Sequence, residues 1–271
     1  VMRLPAKRAG AMRIFINGFG RIGRSVLRAW AGGAAPGVEV AGINDIAEPS
    51  LCAYLFRYDS VFGPWPGRVG LEEGCLSVDG RSIPLHRAAD LAALDLAGVD
   101  VVMECTGRAD AADVAGAGLR AGAGRVLVSG PSDAAELTVV LGANDAALAG
   151  QRIVSNASCT TNALAPLVRL IDEGWGIATG SMTTIHCYTN SQPAVDAPGP
   201  DFARSRAAAL SMVPTTTSAQ RLLDRVLPHL AGRIGGSAVR VPVASVSAVD
   251  LCVTTARPAG AEAINAAFRG A

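Results

Sequence analysis

The sequence has no large excess of charge of either sign. Its 271 residues carry 24 basic and 23 acidic side chains, a formal net charge of +1, and charged residues make up only 17% of the chain. This balance lacks the electrostatic surface that DNA or an anionic membrane requires, so we expect neither as a partner. Any phosphate chemistry must therefore come from local sites. A hydrophobic fraction of 50% fits a compact globular enzyme.

Long apolar runs and paired metal ligands are also missing. No stretch reaches the roughly 18 consecutive apolar residues of a membrane span, and the basic N-terminus lacks the apolar segment of a secretory signal. The six cysteines form no CxxC pair, and there are only three histidines. We therefore expect no metal site, and thiols that stay reduced in a cytosol.

A short polar segment at residues 155–162, SNASCTTN, interrupts the apolar pattern. A strand-like run at 152–154 comes before it, and apolar residues follow at helical spacing, at Leu164, Leu167, Val168 and Ile171. This pattern predicts a strand, a tight turn and a helix whose first turn carries Cys159. N–H groups at a helix start favour the thiolate, which is the nucleophilic form of cysteine. Cys159 is therefore our candidate nucleophile.

A cysteine nucleophile needs a base, and His186 is the best candidate because it lies in the strand-like run at 180–190. The other two histidines, His86 and His229, have polar sequence neighbours, and we expect both on the solvated surface. From these residues alone, an inert core cysteine and a structural strand histidine stay open as the alternative.

A glycine-rich turn follows the first strand-like run, at 13–17. Gly18, Gly20 and Gly23 form a GxGxxG pattern that encloses Arg21 and Ile22, and a helical pattern follows at once. Strand, turn and helix in this order predict a dinucleotide site, because the glycines let a pyrophosphate approach backbone N–H groups. We expect all five residues to contribute to it.

Asp45 sets the expected cofactor. It follows the second strand-like run, at 38–44. A carboxylate there accepts hydrogen bonds from the adenosine ribose and repels a 2′-phosphate, so NAD is favoured over NADP.

The remaining pattern predicts two domains. Strand-like runs at 99–105, 125–129 and 137–141 alternate with helical sequence at 108–124, which indicates a doubly wound parallel sheet. Longer β runs after Gly180 indicate a mostly antiparallel sheet. We predict an α/β NAD-binding (Rossmann) domain at 12–157 and an α+β catalytic domain at 158–271.

The cysteine segment, the HCYTN segment at 186–190 and the RSRAAA segment at 204–209 together resemble the phosphorylating glyceraldehyde-3-phosphate dehydrogenases. The resemblance runs from about Met12 to the end of the chain. It implies that Cys159 adds to the aldehyde of glyceraldehyde 3-phosphate, with His186 as the base. It further implies that hydride passes to NAD and that inorganic phosphate cleaves the thioester.

The same resemblance assigns further residues. It places Thr106 and Ser129 on the nicotinamide side of the cofactor, and Thr189 and Arg240 at the substrate phosphate. It places Ser158, Thr160, Thr217 and Ser218 at the attacking phosphate, with Arg204 close by. It also implies a cytoplasmic homotetramer that acts in glycolysis or gluconeogenesis.

Four positions depart from the family pattern, and two of them, Ser191 and Ser218, leave the substrate preference open. Ser218 stands where the family has glycine, Ser191 where it has aspartate, Ala163 where it has cysteine, and Phe62 where it has histidine. One alternative is a dehydrogenase of another phosphorylated aldehyde, such as erythrose 4-phosphate, although Thr189 speaks against it. A second alternative is a nucleotide-binding relative without catalysis.

Both ends of the chain differ from the family pattern. The chain opens with Val1, and Met12 stands directly before the first strand-like run, so we expect residues 1–11 to be an upstream extension. The family continues beyond the position of Ala271 to a helix that supplies an asparagine to the nicotinamide. We therefore expect a C-terminally truncated catalytic domain.

Overall fold

A computed structural model describes residues 10–271, so the expectation about residues 1–11 lies, for 1–9, outside the described residues. Contacts among the described residues divide the chain into two compact units. The first comprises residues 10–138 and Leu148–Asn156, and the second comprises Val139–Ala147 and Ala157–Ala271.

The first unit contains most of the strands. These are β1 (Met12–Asn17), β2 (Val38–Asn44), β3 (Val69–Glu72), β4 (Cys75–Val78), β5 (Arg81–His86), β6 (Val101–Glu104), β7 (Arg125–Val128), β8 (Leu137–Thr138) and β9 (Ile153–Ser155). Its helices are α1 (Arg21–Ala31), α2 (Pro49–Arg57) and α3 (Ala112–Arg120), with a 3-10 turn at Leu91–Ala93.

These strands form one sheet in the order β3-β4-β5-β2-β1-β6-β7-β9-β8. Its neighbours are parallel except at the β3–β4 and β4–β5 pairs. Successive side chains of β1 point to opposite faces, so Ile14 and Ile16 pack with Leu27 of α1, whereas Phe15 packs with Ala115 of α3. Helices thus cover both faces, and the predicted doubly wound sheet is confirmed.

The predicted strand at 137–141 ends early, at Thr138. The carbonyl of Val140 accepts hydrogen bonds from the N–H groups of Ala143 and Asn144, and the Asn144 side chain accepts from the Val140 N–H, which turns the backbone. Val140 and Ala143 are then buried in the core of the second unit. Residues 139–147 therefore belong to the second unit, although the expected division placed everything up to 157 in the first.

The second unit is an α+β unit. It contains α4 (Cys159–Trp175), β10 (Ile177–Cys187), β11 (Val213–Thr215), α5 (Ala219–Val226), β12 (Ile234–Val241), β13 (Ala248–Thr255) and α6 (Ala261–Gly270). Short 3-10 turns lie at Asp145–Ala147, Ala203–Ser205 and Pro228–Leu230. The sheet order is β11-β12-β10-β13, with only the β10–β12 pair parallel. The predicted, mostly antiparallel sheet is confirmed.

One face of this sheet is covered and the other is more exposed. Met182, Thr184 and His186 of β10 are buried, whereas Ile185 is 37% exposed. Leu164 and Val168 of α4 belong to the same core as Met182. His186 therefore lies on the face that α4 covers.

A helix that crosses a membrane must be about 20 residues long and predominantly apolar. No helix within residues 10–271 is long and apolar enough to cross a membrane.

The glycine-rich turn between β1 and α1 generates a stability prediction. A Cβ atom at Gly23 would lie 2.1 Å from the Gly18 carbonyl oxygen, whereas one at Gly20 would have nothing within 4 Å. We expect Gly23→Ala to lower the free energy of unfolding by about 1–3 kcal/mol, because backbone must move. Gly20→Ala is the matched control. Denaturant unfolding measures both variants, and equal effects would contradict the prediction.

Candidate active site

A cavity of about 460 Å³ lies at the C-terminal ends of β1, β2 and β6 in the first unit. Its lining includes Asn17, Gly18, Gly20, Asn44, Asp45 and Thr106. Ligands of doubly wound sheets bind at this end of the strands. Helix α1 also begins here, and a helix N-terminus favours a negatively charged group such as a pyrophosphate. The cavity therefore suits a dinucleotide.

The predicted cofactor residues divide into two groups. Gly18, Gly20, Asp45 and Thr106 line the cavity, whereas Arg21, Ile22, Gly23 and Ser129 do not. Arg21 instead donates to Asp59 at 2.8 Å and lies 5.5 Å from the ring centre of Phe62. Burial alone would raise the pKa of Asp59, but hydrogen bonds from the N–H groups of Phe62 and Val61 and from Arg21 lower it to about 2.

Asp45 holds the glycine-rich turn as well as lining the cavity. One carboxylate oxygen accepts from the Phe19 N–H at 2.6 Å, and the other accepts from the Ala47 N–H at 2.9 Å. An ionised carboxylate offers about four acceptor positions. Asp45 can therefore still accept hydrogen bonds from ribose hydroxyls.

Glu104 is a site residue that the sequence reasoning missed. Its carboxylate is 1% exposed and accepts from Asn17 Nδ2, from the Thr106 N–H and from the Thr106 hydroxyl. Asn17 in turn accepts from Asn44 Nδ2 at 2.9 Å. A carboxylate inside the apolar run VVMEC was the available signal, because an acidic side chain is seldom fully buried without partners.

Cys159 is the first residue of α4 in the second unit. The preceding Ser158 caps the helix, since its hydroxyl accepts from the Thr161 N–H at 3.1 Å. Ala157 has a φ of 55°, a left-handed conformation that turns the chain sharply from β9 into the helix. The sequence prediction of strand, turn and helix is therefore confirmed. Cys159 is exposed.

The Cys159 sulfur lies 3.1 Å from His186 Nε2. His186 is only 9% exposed, and its other ring nitrogen, Nδ1, lies 2.7 Å from the Cys187 carbonyl oxygen. A thiol, an imidazole and a group that orients the imidazole form the arrangement of an activated cysteine nucleophile. The structure thus brings the two predicted catalytic residues together.

Arg240 joins the same cluster. Its Nη1 lies 2.7 Å from His186 Nδ1 and donates to the Cys187 carbonyl at 3.0 Å. The parallel register of β10 and β12 pairs His186 with Arg240, so the two side chains share one face of the sheet. The cluster therefore contains a nucleophile, an imidazole and a permanent cation that is suited to an oxyanion.

The other predicted phosphate residues form separate contacts. The Thr189 and Ser191 hydroxyls are 2.9 Å apart, and the Thr217 hydroxyl accepts from the Ala219 N–H at the start of α5. Thr160 is buried beside Cys159, and Ser218 is the N-cap of α5 without a side-chain cap bond. Arg204 donates to Asp201 at 2.6 Å, and the hydrogen bonds from the Arg204 N–H and side chain lower the pKa of Asp201.

The remaining histidines and the buried cysteines have surroundings unlike those of Cys159 and His186. His229 is exposed as expected, but His86 is half-buried, so the prediction of a solvated surface was wrong for it. Burial lowers the pKa of His86, whose ring lies 5.7 Å from Phe15. The pairing of β5 with β2, a non-local contact, brings His86 into the sheet and its ring close to Phe15 of β1. Burial also raises the pKa of the Cys52 and Cys105 thiols to about 11.

Family models match one segment in each of the two units. Residues 12–112 match the family model described as glyceraldehyde 3-phosphate dehydrogenase, NAD binding domain, and residues 158–271 match the C-terminal domain of the same family. A glyceraldehyde-3-phosphate dehydrogenase of Pseudomonas aeruginosa is 48% identical over 96% of this chain and 79% of its own length. Those of Cereibacter sphaeroides and Bacillus subtilis, the latter named glyceraldehyde-3-phosphate dehydrogenase 1, are 46% and 42% identical over 96% of this chain and 78% of their own length.

A glycine-rich turn in a doubly wound sheet, together with a cysteine–histidine cluster in a second unit, defines an NAD-dependent oxidoreductase. The chain belongs to the glyceraldehyde-3-phosphate dehydrogenase family.

The cluster predicts which cysteine reacts first with iodoacetamide near neutral pH. We expect Cys159, because a helix N-terminus and an imidazole both favour its thiolate. Cys52 and Cys105 stay protonated, since a pKa of about 11 leaves roughly one thiolate in ten thousand at pH 7. Cys252 is exposed and serves as the internal control.

Mass-spectrometric mapping after brief labelling measures the order. His186→Asn should slow the labelling of Cys159 and leave that of Cys252 unchanged. Faster labelling of Cys252 than of Cys159 in the unmodified chain would contradict the prediction.

Proposed function

We propose that the chain catalyses the NAD-dependent oxidative phosphorylation of glyceraldehyde 3-phosphate to 1,3-bisphosphoglycerate. The observation that carries the proposal is the 3.1 Å contact between Cys159 Sγ and His186 Nε2 at the start of α4. The names of the relatives support the same reaction. The pathway that we propose is glycolysis or gluconeogenesis.

Cys159 and His186 carry the covalent steps of the proposed mechanism. His186 takes the Cys159 thiol proton, the thiolate adds to the aldehyde carbon, and the protonated imidazole returns that proton to the oxygen, which becomes the hydroxyl of a thiohemiacetal. His186 takes the proton of that hydroxyl as the C–H bond breaks and a thioester forms. NAD, when bound, accepts the hydride. N–H groups at the start of α4 lie where they can stabilise the oxyanion that forms on addition.

Two phosphate groups then need separate partners. We assign the substrate phosphate to Arg240 and Thr189, because a guanidinium and a hydroxyl are suited to phosphate oxygens. We assign the attacking phosphate to Ser158, Thr160, Thr217 and Ser218, with Arg204 nearby. Attack by this phosphate on the thioester carbon releases the acyl phosphate and returns the Cys159 thiolate.

We also propose that the protein is a cytoplasmic homotetramer, with domains that divide near residue 157 except that residues 139–147 pack with the second. Large apolar side chains of the second unit support an oligomer, because they are exposed in the single chain. Phe202 is 97% exposed, Leu210 85%, Val246 81% and Met212 75%. Exposed apolar surface of this kind is typical of protein–protein interfaces.

The mechanism predicts the effect of removing the base. His186→Asn is expected to lower kcat on glyceraldehyde 3-phosphate by roughly 10²–10⁴-fold, the usual contribution of general acid–base catalysis. His229→Asn is the matched control, since that ring is exposed and bonds only to Asp172 in the described residues. Absorbance of NADH at steady state, with phosphate present, measures both variants.

Two results would count against this function. One is an equal loss of activity in the two histidine variants. The other is a higher kcat/KM for erythrose 4-phosphate than for glyceraldehyde 3-phosphate, which would favour the related aldehyde dehydrogenase instead.

A second prediction concerns the cofactor. Asp45→Ala should narrow the gap between the affinities for NAD and NADP, because it removes the charge that repels a 2′-phosphate. It also removes the acceptors of the Phe19 and Ala47 N–H groups, so a stability measurement must accompany it. Fluorescence titration of both cofactors measures the gap. Equal affinities in the unmodified chain would contradict the assignment.

A further inference from the structure

A chain of side-chain hydrogen bonds follows the edge of the first unit's sheet at which the dinucleotide cavity lies. Asn44 ends β2, Asn17 ends β1 and Glu104 ends β6, and none of the three is more than 5% exposed. Asn44 Nδ2 donates to the Asn17 side-chain oxygen at 2.9 Å, and Asn17 Nδ2 donates to Glu104 Oε2 at 2.5 Å. Both asparagines line the cavity, whereas Glu104 lies outside its lining.

The direction of donation is fixed at both ends of this hydrogen-bond chain. At one end, the Ala88 N–H donates to the Asn44 side-chain oxygen at 2.8 Å, and the Ala88 carbonyl accepts from Asn44 Nδ2 at 3.0 Å. At the other end, an ionised Glu104 carboxylate can only accept. Asn17 must therefore present its NH₂ group to Glu104 and its oxygen to Asn44. Only one orientation of the two amides satisfies every bond.

Glu104 also holds the backbone that follows β6. Its Oε1 accepts from the Thr106 N–H at 2.9 Å and from the Thr106 hydroxyl. A Cβ atom at Gly18 would lie 2.7 Å from the Thr106 nitrogen, so the glycine-rich turn packs directly against the peptide that Glu104 holds. Gly18 and Thr106 both line the cavity. One buried carboxylate thus connects cavity residues that follow β1 with those that follow β6.

We propose that Glu104 is a positioning residue for NAD. By accepting hydrogens from Asn17 on one side and from Thr106 on the other, it fixes the spacing between the glycine-rich turn and the turn after β6 before the cofactor binds. A preformed site loses less conformational freedom on binding, so it binds more tightly. The inference rests on the NAD-binding domain that the family model describes, and it goes beyond the proposed reaction.

Two simpler roles for Glu104 predict different behaviour. A role through charge alone predicts that removing the carboxylate tightens NAD binding, because a buried anion repels a pyrophosphate. A role in folding alone predicts a lower free energy of unfolding and an unchanged affinity in the folded protein. Positioning predicts weaker NAD binding by the folded protein. The direction of the change in affinity therefore separates the three roles.

Glu104→Gln tests the direction of donation at constant size. The new NH₂ group faces either Asn17 Nδ2 or the Thr106 N–H, and each of these is a donor. We expect the Kd for NAD to rise roughly tenfold, because a buried donor is left without an acceptor. Glu136→Gln is the matched control, since Glu136 accepts from the Arg152 N–H at 3.2 Å and does not line the cavity.

A second substitution should restore binding. Asn17→Asp in the Glu104→Gln background places a carboxylate where it accepts both from the new amide at position 104 and from Asn44 Nδ2. The Kd for NAD should then return to within about threefold of the unmodified value, which independent sites cannot produce. Asn17→Asp alone sets two carboxylates against each other and should weaken binding at least as much as Glu104→Gln.

Glu104→Asp separates position from charge. It keeps a carboxylate but is one carbon shorter, so it cannot reach Asn17 and Thr106 together, and we expect several-fold weaker NAD binding. A role through charge alone predicts no change. This variant also keeps the test decisive if Glu104→Gln does not fold.

Isothermal titration calorimetry with NAD measures every Kd, and denaturant unfolding without NAD identifies the conditions under which each variant is folded. An unchanged or lower Kd in Glu104→Gln, or a double variant that binds no better than either single variant, would overturn the proposal. The titrations contain no aldehyde, so an absence of turnover with glyceraldehyde 3-phosphate would refute the proposed function and leave this inference standing. Full turnover in a chain whose NAD affinity is insensitive to Glu104 would refute the inference alone.

Discussion

The contact between the Cys159 sulfur and His186 depends on two elements, α4 and β10, that present one side chain each to the same point. The Ser158 cap and the left-handed Ala157 fix where α4 begins, and therefore where the sulfur lies. The covered face of β10 fixes the imidazole, because Met182, Thr184 and His186 alternate with less buried residues along the strand. A change in the register of β10 by one residue would turn His186 to the exposed face.

Both units hold polar side chains at the edges of largely apolar sheets. In the first unit, Glu104 satisfies Asn17 and Thr106 at the strand ends, so the polar groups beside the cavity are bonded before any ligand binds. In the second unit, Arg240 and the Cys187 carbonyl both lie within hydrogen-bond distance of His186 Nδ1, so the imidazole is held from the side opposite Cys159.

Sequence reasoning succeeded where the physical requirement is local. The glycine-rich turn was predictable because Gly18 must adopt a φ of 91° and Gly23 has no room for a side chain. The start of α4 was predictable from its polar cap and helical spacing. Strand pairing is non-local, so the antiparallel β3–β5 extension, the burial of His86 and the pairing of His186 with Arg240 could not be read from neighbouring residues.

The turn at residues 139–147 has a consequence for the order in which the chain is synthesised. This segment leaves the ribosome after most of the first unit, yet Val140 and Ala143 are buried against residues such as Leu164 and Leu223, which emerge later. Until α5 has been made, these two apolar side chains have no complete core to enter. When residues 139–147 have just been synthesised, the sheet of the first unit therefore still lacks β9. The core of the second unit, which will bury Val140 and Ala143, has not yet formed.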